Sequence, residues 1–135
     1  KENVLIVDYD PEIVRRYIAQ NINCLYGDMS NEDVLKKAKV SSAKIVISTV
    51  LSKEDNYFLI EHAKEMNKKV IVIVSASNVR TAIEMYEKGA DYVLLPQILS
   101  GEFLANKLFK TMPDHKKLNK LKEKHVNYLI QMHNR

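Results

Sequence analysis

The chain has 135 residues, of which 46% are hydrophobic, and it carries a formal net charge of +4. A chain of this length buries one core of ordinary size. Its longest apolar runs, such as 70–74, fall far short of the ~20 residues that a membrane-spanning helix needs. A single cysteine excludes an internal disulfide and is typical of a protein from a reducing compartment.

In chain order, short apolar strands alternate with longer amphipathic segments. The strands read as continuous Val/Ile runs, a pattern typical of parallel strands that are buried on both faces between layers of helices. We therefore expect an α/β fold with three layers, a parallel sheet of five strands and an additional C-terminal helix. Strands are predicted near 3–8, 22–26, 44–48, 70–74 and 91–95, and helices near 11–20, 31–39, 53–67, 78–88 and 98–111.

The predicted helix boundaries carry the expected capping residues. Asp10 followed by Pro11 places an N-cap and a first-turn proline at the start of the first helix. Ser30 with Asp33 resembles a capping box for the second helix. Gly89 stands where the fourth helix should end.

The basic excess lies entirely in the tail, because residues 113–135 hold six basic and two acidic residues. Leucines recur in this tail at helical spacing, so we expect a basic amphipathic helix with a solvated lysine face. Pro113 precedes this helix. The predicted organisation is a main domain at 1–112 and a C-terminal helix at 113–135, with no role in binding nucleic acid.

A ligand of an open parallel sheet binds beyond the carboxyl ends of its strands. The side chains predicted at this rim are small hydroxyls and carboxylates, which suit a nucleotide's sugar and base better than bond-breaking chemistry. The rim segments are Asp8 and Asp10, 27–29, 48–50, 75–77 and 96–97.

Sequence motifs for catalysis are lacking. The four histidines have no partner at metal-ligand spacing, and none falls at the end of a predicted strand, where it would activate a serine. There is no P-loop, C-x-x-C, H-E-x-x-H or G-x-S-x-G motif. We expect neither an enzyme nor a metal protein.

Several segments carry a family resemblance over about residues 3–111. The most specific is the Tyr-Gly-Asp loop with its following helix, within 24–38, and further matches lie at 43–49, 54–57, 63–67 and 89–96. Together they resemble the regulator-of-potassium-conductance (RCK) domain, also called KTN or TrkA-N. Within this family, the sequence of these segments is most similar to the cytoplasmic C-terminal domains of Kef-type monovalent cation/proton antiporters.

This resemblance implies a Rossmann-like regulatory domain that binds an adenine nucleotide such as NAD(H), AMP or ATP. It implies a potassium or sodium transport protein, an antiporter or a channel, whose membrane part is the partner. The domain would lie at the cytoplasmic face of the cell membrane. Apart from the resemblance, the last predicted helix and the tail helix carry more apolar surface than one small sheet can cover, which suggests a homodimer paired through these C-terminal helices. The alternative is that both helices fold back onto their own sheet. In the dimer, rearrangement on ligand binding would gate transport.

The family's binding residues transfer onto five positions of this chain. Asp8 would accept hydrogen bonds from the ribose hydroxyls, and Asp28 with Met29 would line the adenine pocket. Ser48 and Thr49 would border the ribose or the phosphates. An alternative stays open for each pair. Asp28 would satisfy only backbone amides in a turn, and Ser48 and Thr49 would be loop residues that cap the next helix.

The resemblance departs from the family at one place. Family members begin with a strand and a G-x-G-x-x-G turn, which would occupy about 25 residues before Lys1. Without the amides of that turn, we expect this chain to bind a nucleotide weakly or not at all. Without that strand, we expect one of two outcomes: the chain rearranges, or the five remaining strands close up in the flavodoxin-like order 2-1-3-4-5.

That strand order suggests an alternative function. The segment 4–11 also resembles the opening of a response-regulator receiver domain, and segments 72–77 and 89–91 resemble its later strands. The third strand, however, ends in Ile47, Ser48 and Thr49 instead of the aspartate that receives the phosphoryl group. The alternative is therefore a pseudo-receiver that lacks phosphorylation chemistry and acts as a protein-interaction module.

Overall fold

The computed structural model describes residues 3–111 and 114–133. The chain divides into two compact units, Lys1–Pro96 and Gln97–Arg135. The predicted boundary between 112 and 113 falls on residues outside the described part. The helix that precedes it groups with the second unit.

The predicted alternation of strands and helices is confirmed in every element. The first unit contains β1 (Ile6–Asp8), α1 (Pro11–Ala19), β2 (Cys24–Tyr26), α2 (Glu32–Lys37), a 3-10 turn (Val40–Ser42), β3 (Ile45–Ile47), α3 (Lys53–Met66), β4 (Ile71–Ser75), α4 (Val79–Glu87) and β5 (Tyr92–Leu94). Two longer helices follow, α5 (Pro96–Thr111) and α6 (His115–His133).

Capping side chains start the helices, with one difference from the prediction. The Asp10 carboxylate accepts hydrogen bonds from the first-turn amides of α1, as expected. The N-cap of α2 is Asn31, whose side chain accepts from the Asp33 amide, and Ser30 instead donates to Asp28. Gly89 ends α4 with a φ of +104°, a conformation that a side chain would strain.

The α/β class with parallel strands is confirmed, but the strands form two sheets. β1 pairs with β2, and β3 pairs with β4, which pairs with β5. The expected closure in the order 2-1-3-4-5 is therefore wrong, because β1 and β3 share no ladder in the described residues. Leu35 of α2 and Val40 of the 3-10 turn pack in one core with Leu59 of α3. This packing, and not a strand ladder, joins the two halves of the unit.

The split leaves two strand edges without a partner strand among the described residues. In a parallel ladder, alternate residues of a strand bond to the same neighbour. The Ser48 N–H donates to the Ile73 carbonyl at 2.8 Å, so β3 directs its even-numbered residues toward β4. The N–H and C=O groups of Ile45 and Ile47 therefore point to the free edge of β3, and those of Val7 point to the free edge of β1.

The three-stranded sheet is covered on one face only within the described residues. Valines on one face, including Val72, Val74 and Val93, are buried beneath α3 and α4. On the other face Ile47 is 61% exposed and Tyr92 is 50% exposed. The strands are thus apolar on both sides, as the sequence predicts, although only one side is buried here.

Helices α3 and α4 are joined by a charged cluster at their surface. The Tyr57 hydroxyl donates to a Glu84 carboxylate oxygen at 2.5 Å, and the Lys53 ammonium lies 2.5 Å from the same oxygen. Hydrogen bonding from Lys53, and then from Tyr57, lowers the pKa of Glu84 to about 2. Glu84 is therefore ionised throughout the physiological range.

The second unit presents apolar side chains to solvent on both of its helices. Phe103 and Leu104 of α5 are exposed, as are Leu129 and Ile130 of α6. In the part of the chain that the structure describes, no helix combines the length and the apolar character needed to cross a membrane.

Candidate functional site

Asp8 ends β1 at the carboxyl edge of the two-stranded sheet. One carboxylate oxygen, Oδ1, accepts a hydrogen bond from the Asp10 amide at 2.9 Å. The other oxygen, Oδ2, has no hydrogen-bond partner among the described residues. The side chain is half-buried. Asp8 is therefore held in place through one oxygen and offers the second as an acceptor.

Asp28 follows Gly27, whose amide donates to the Asp8 carbonyl at 3.0 Å, so the Asp28 turn begins at the carboxyl end of β1. Its Oδ1 atom accepts from both the amide and the hydroxyl of Ser30, each at 2.8 Å. These two hydrogen bonds, the backbone one first, lower the pKa of Asp28. Oδ1 of Asp28 thus bonds within its own turn, as the alternative interpretation expects. Its Oδ2 atom has no partner in the described residues.

Gly27 sets the distance between this turn and helix α2. A Cβ atom at Gly27 would lie 2.7 and 2.9 Å from the two γ-carbons of Val34, well inside van der Waals contact. Val34 is one of the buried side chains of α2. Only a glycine permits this approach, which places Asp28 and Met29 at the sheet end.

Met29 and Ser48 join the two sheets at their carboxyl ends. The Ser48 hydroxyl donates to the Met29 sulfur at 3.6 Å. Met29 is half-buried and packs against the core. The five predicted residues therefore all lie at the carboxyl ends of the strands, Asp8, Asp28 and Met29 after the first sheet and Ser48 and Thr49 after the second, and the Ser48–Met29 hydrogen bond connects the two groups.

Ser48 and Thr49 differ in what they can offer to a ligand. Ser48 is buried, and its hydroxyl also accepts from the Val50 amide at 3.3 Å. Its oxygen is thus engaged within the protein. Thr49 is exposed, with no side-chain hydrogen bond in the described residues. Thr49 is the more accessible hydroxyl of the pair.

Two polar residues at this rim were not among the predicted site residues. Asn56 is completely buried, and its Nδ2 atom donates to the carbonyls of Val50 and Ser75 at 2.8 and 2.9 Å. The Ser75 hydroxyl donates to the Ser48 carbonyl at 3.0 Å. The sequence did hold a signal for Asn56, which interrupts the apolar stripe of α3 at helical spacing from Ile60.

The thiol of Cys24, at the start of β2, interacts with the carboxylate that ends β1. Burial, and then the nearby negative charge of Asp8, raises the pKa of its thiol. Cys24 and Asp8 are alternate neighbours on the same face of the β1–β2 pair, since Cys24 lies opposite Ile6. The interaction between the two side chains follows from this shared face.

Chemically, the rim offers acceptors for hydroxyl donors. A carboxylate oxygen such as Asp8 Oδ2 can accept a hydrogen bond from a sugar hydroxyl. Among the residues described, no group of three or more His, Cys, Asp and Glu side chains could hold a metal ion. The rim is anionic and polar, which suits the sugar of a nucleotide better than its phosphates.

Comparisons with known proteins point to one family. Residues 1–96 match the family model of the TrkA-N domain. "Potassium channel protein 1" of Methanocaldococcus jannaschii is 32% identical over 103 residues, which is 75% of this chain and 31% of that protein. The chain thus spans less than a third of this relative's length.

Solved structures share the fold. The TrkA-N domain of the inner membrane protein ybaL from Escherichia coli superposes with a TM-score of 0.74 at 17% identity, covering 78% of each chain. The Kef CTD of Shewanella denitrificans, in its AMP-bound form, gives a TM-score of 0.64 at 15% identity and covers 98% of this chain and 92% of that one. The match over residues 1–96 selects the first of the two resemblances seen in the sequence: the chain belongs to the TrkA-N (RCK) domain family.

Proposed function

We propose that this chain is a regulatory, non-enzymatic domain that binds an adenine nucleotide and controls a potassium or sodium transport protein. Membership of the TrkA-N family supports this function, as does the potassium channel protein that is 32% identical. The Kef CTD that shares its fold has an AMP-bound form. In this proposal the domain works at the cytoplasmic face of the membrane.

The observation that carries the proposal is the Oδ2 atom of Asp8, which has no hydrogen-bond partner in the part of the chain that the structure describes. Asp8 ends a parallel strand, which is where open α/β sheets bind their ligands. Its Oδ1 atom is fixed by the Asp10 amide, so Oδ2 has a defined position. A preorganised carboxylate of this kind is suited to the ribose hydroxyls.

The described residues fit the nucleoside better than the phosphates. Asp28 and Met29 lie in the turn that starts at the carboxyl end of β1 and would contact the base. Thr49 supplies an exposed hydroxyl after β3. The glycines, Gly27, Gly89 and Gly101, are too far apart in sequence for a phosphate-cradling loop. We therefore expect weak binding by this chain, dominated by the base and the ribose.

Regulation in this proposal works by a population shift. A nucleotide that favours one arrangement of paired domains changes the equilibrium only by its difference in affinity for the two arrangements. Exposed apolar side chains on α5 and α6, such as Phe103 and Leu129, are suited to pairing two copies. The membrane part of the transporter would then respond to the dimer geometry.

The test is an NMR titration of the chain with AMP, ATP and NADH, which detects millimolar binding. We expect shifts of the amides at residues 8–9, 28–30 and 48–50. Asp8→Asn should weaken AMP binding about tenfold or more, because a hydrogen bond to a charged group contributes ~1.5–3 kcal/mol. Asp33→Asn, at an exposed position of α2, is the control for loss of one charge. Unchanged AMP affinity in Asp8→Asn would remove Asp8 from the site.

A further inference from the structure

Buried polar side chains concentrate at one place in the first unit. The described part of the chain buries four polar residues, Ser48, Asn56, Ser75 and Thr81. Ser48, Asn56 and Ser75 form one cluster at the carboxyl ends of β3 and β4. Asn56 donates to the Ser75 carbonyl, and the Ser75 hydroxyl donates to the Ser48 carbonyl. Burying polar groups destabilises a fold unless they are paired. A buried polar cluster beside a candidate ligand site is therefore a candidate for a functional role.

Asn56 occupies the centre of this cluster. Its side chain is 0% exposed, and its Nδ2 atom bridges the carbonyl of Val50, in the loop after β3, and the carbonyl of Ser75, at the end of β4. Its Oδ1 atom has no partner in the described residues. A buried acceptor without a partner is unfavourable. The buried side chain of Asn56 therefore carries an energetic cost, and the two hydrogen bonds donated by its Nδ2 atom are the better explanation for its presence.

Those bonds determine where Thr49 lies. Val50 is held at both backbone groups, since its N–H donates to the Ser48 hydroxyl and its carbonyl accepts from Asn56. Ser48, on the other side of Thr49, is anchored to β4 through Ile73. Thr49 is thus an exposed residue between two fixed neighbours, although it belongs to neither a helix nor a strand.

We infer that Asn56 is a positioning residue of the nucleotide site: it holds the β3–α3 loop so that Thr49 faces the ligand. The identity of the ligand rests on the proposed function. The geometry of the β3–α3 loop does not depend on that proposal. Asn56 itself is too deeply buried to contact a ligand. Its effect on binding passes through Val50 and the loop.

Two variants separate this role from a general loss of stability. Asn56→Leu keeps the number and branching of the side-chain heavy atoms and removes both donor bonds. Ser75→Ala is the matched control, because it removes one hydrogen bond of the same cluster, to the Ser48 carbonyl, and leaves the bond from Asn56 to Val50 intact.

The first measurement is amide hydrogen exchange by NMR. In the unmodified chain the Val50 amide should be protected and the Thr49 amide should exchange freely. Asn56→Leu should speed exchange at Val50 at least tenfold relative to the core amide of Val72, which reports global opening. Ser75→Ala should leave that ratio unchanged. An unprotected Val50 amide in the unmodified chain overturns the inference even if Asn56→Leu does not fold.

The second measurement is AMP affinity by the same NMR titration. Asn56→Leu should weaken AMP binding at least tenfold, and Ser75→Ala by less than threefold. Equal AMP affinities in the two variants would overturn the positioning role. If the unmodified chain does not bind AMP, the proposed function fails, and the exchange ratio at Val50 still decides whether Asn56 holds the loop.

Discussion

Replacing Gly27 by alanine tests the close approach that places the Asp28 turn. The backbone of Gly27 lies outside the left-handed region, since Gly89 is the glycine with a positive φ. An alanine is therefore allowed by the backbone at position 27. Its Cβ atom would, however, lie 2.7 and 2.9 Å from the γ-carbons of Val34.

The magnitude follows from these two distances. Carbon atoms pack best at about 3.5–4.0 Å, so each contact is short by about 1 Å. Val34 is 9% exposed and has little room to move. Overpacking of this kind costs ~1–3 kcal/mol. Against this stands a gain of ~0.4–1 kcal/mol, because alanine restricts the unfolded chain. We expect Gly27→Ala to destabilise the first unit by about 1–2 kcal/mol.

A double-mutant cycle measured by urea denaturation isolates the contact. Val34→Ala removes both γ-carbons, so Gly27→Ala in that background should be neutral or stabilising by ~0.4–1 kcal/mol. The coupling between the two sites should then be about 1–3 kcal/mol. If Gly27→Ala costs the same in both backgrounds, the steric explanation is refuted, and the glycine serves another purpose.

Three further predictions follow from charges and strand edges. Because the pKa of Glu84 is about 2 in the folded chain against 4.5 normally, its contribution to stability is present above pH 4.5 and is lost as the pH falls toward 2. Acid unfolding of Glu84→Gln should therefore be less steep in this range than that of the unmodified chain, and equal steepness would contradict the prediction. Hydrogen exchange should be fast at the Ile45 amide, at the free edge of β3, and slow at Val46, which bonds to β4; equal protection would mean that the edge is covered in solution. Asp8→Asn should lower the pKa of Cys24 and speed its alkylation at neutral pH, whereas an unchanged rate would separate the two side chains.

The candidate site could be predicted in part from the sequence. Asp8 and Thr49 follow apolar runs, and the ends of parallel strands meet at one edge, so the sequence placed them at the rim. It gave no means of choosing between a ligand role and an internal role for Ser48. That choice depends on burial and on the contact with Met29, 19 residues away in sequence. Long-range contacts of this kind leave no local pattern.

The alternation of strands and helices was determined by the sequence alone, because apolar periodicity and capping residues are local properties of the chain. Asp10, for example, caps α1 through the amides of its own first turn. The grouping of the strands was decided by tertiary structure. Leu35 and Val40 pack into the core beside α3 and set the position of the first sheet. An apolar sequence pattern identifies a strand but does not determine which strand it pairs with. The division into two sheets and the burial of Asn56 therefore became visible only in the folded chain.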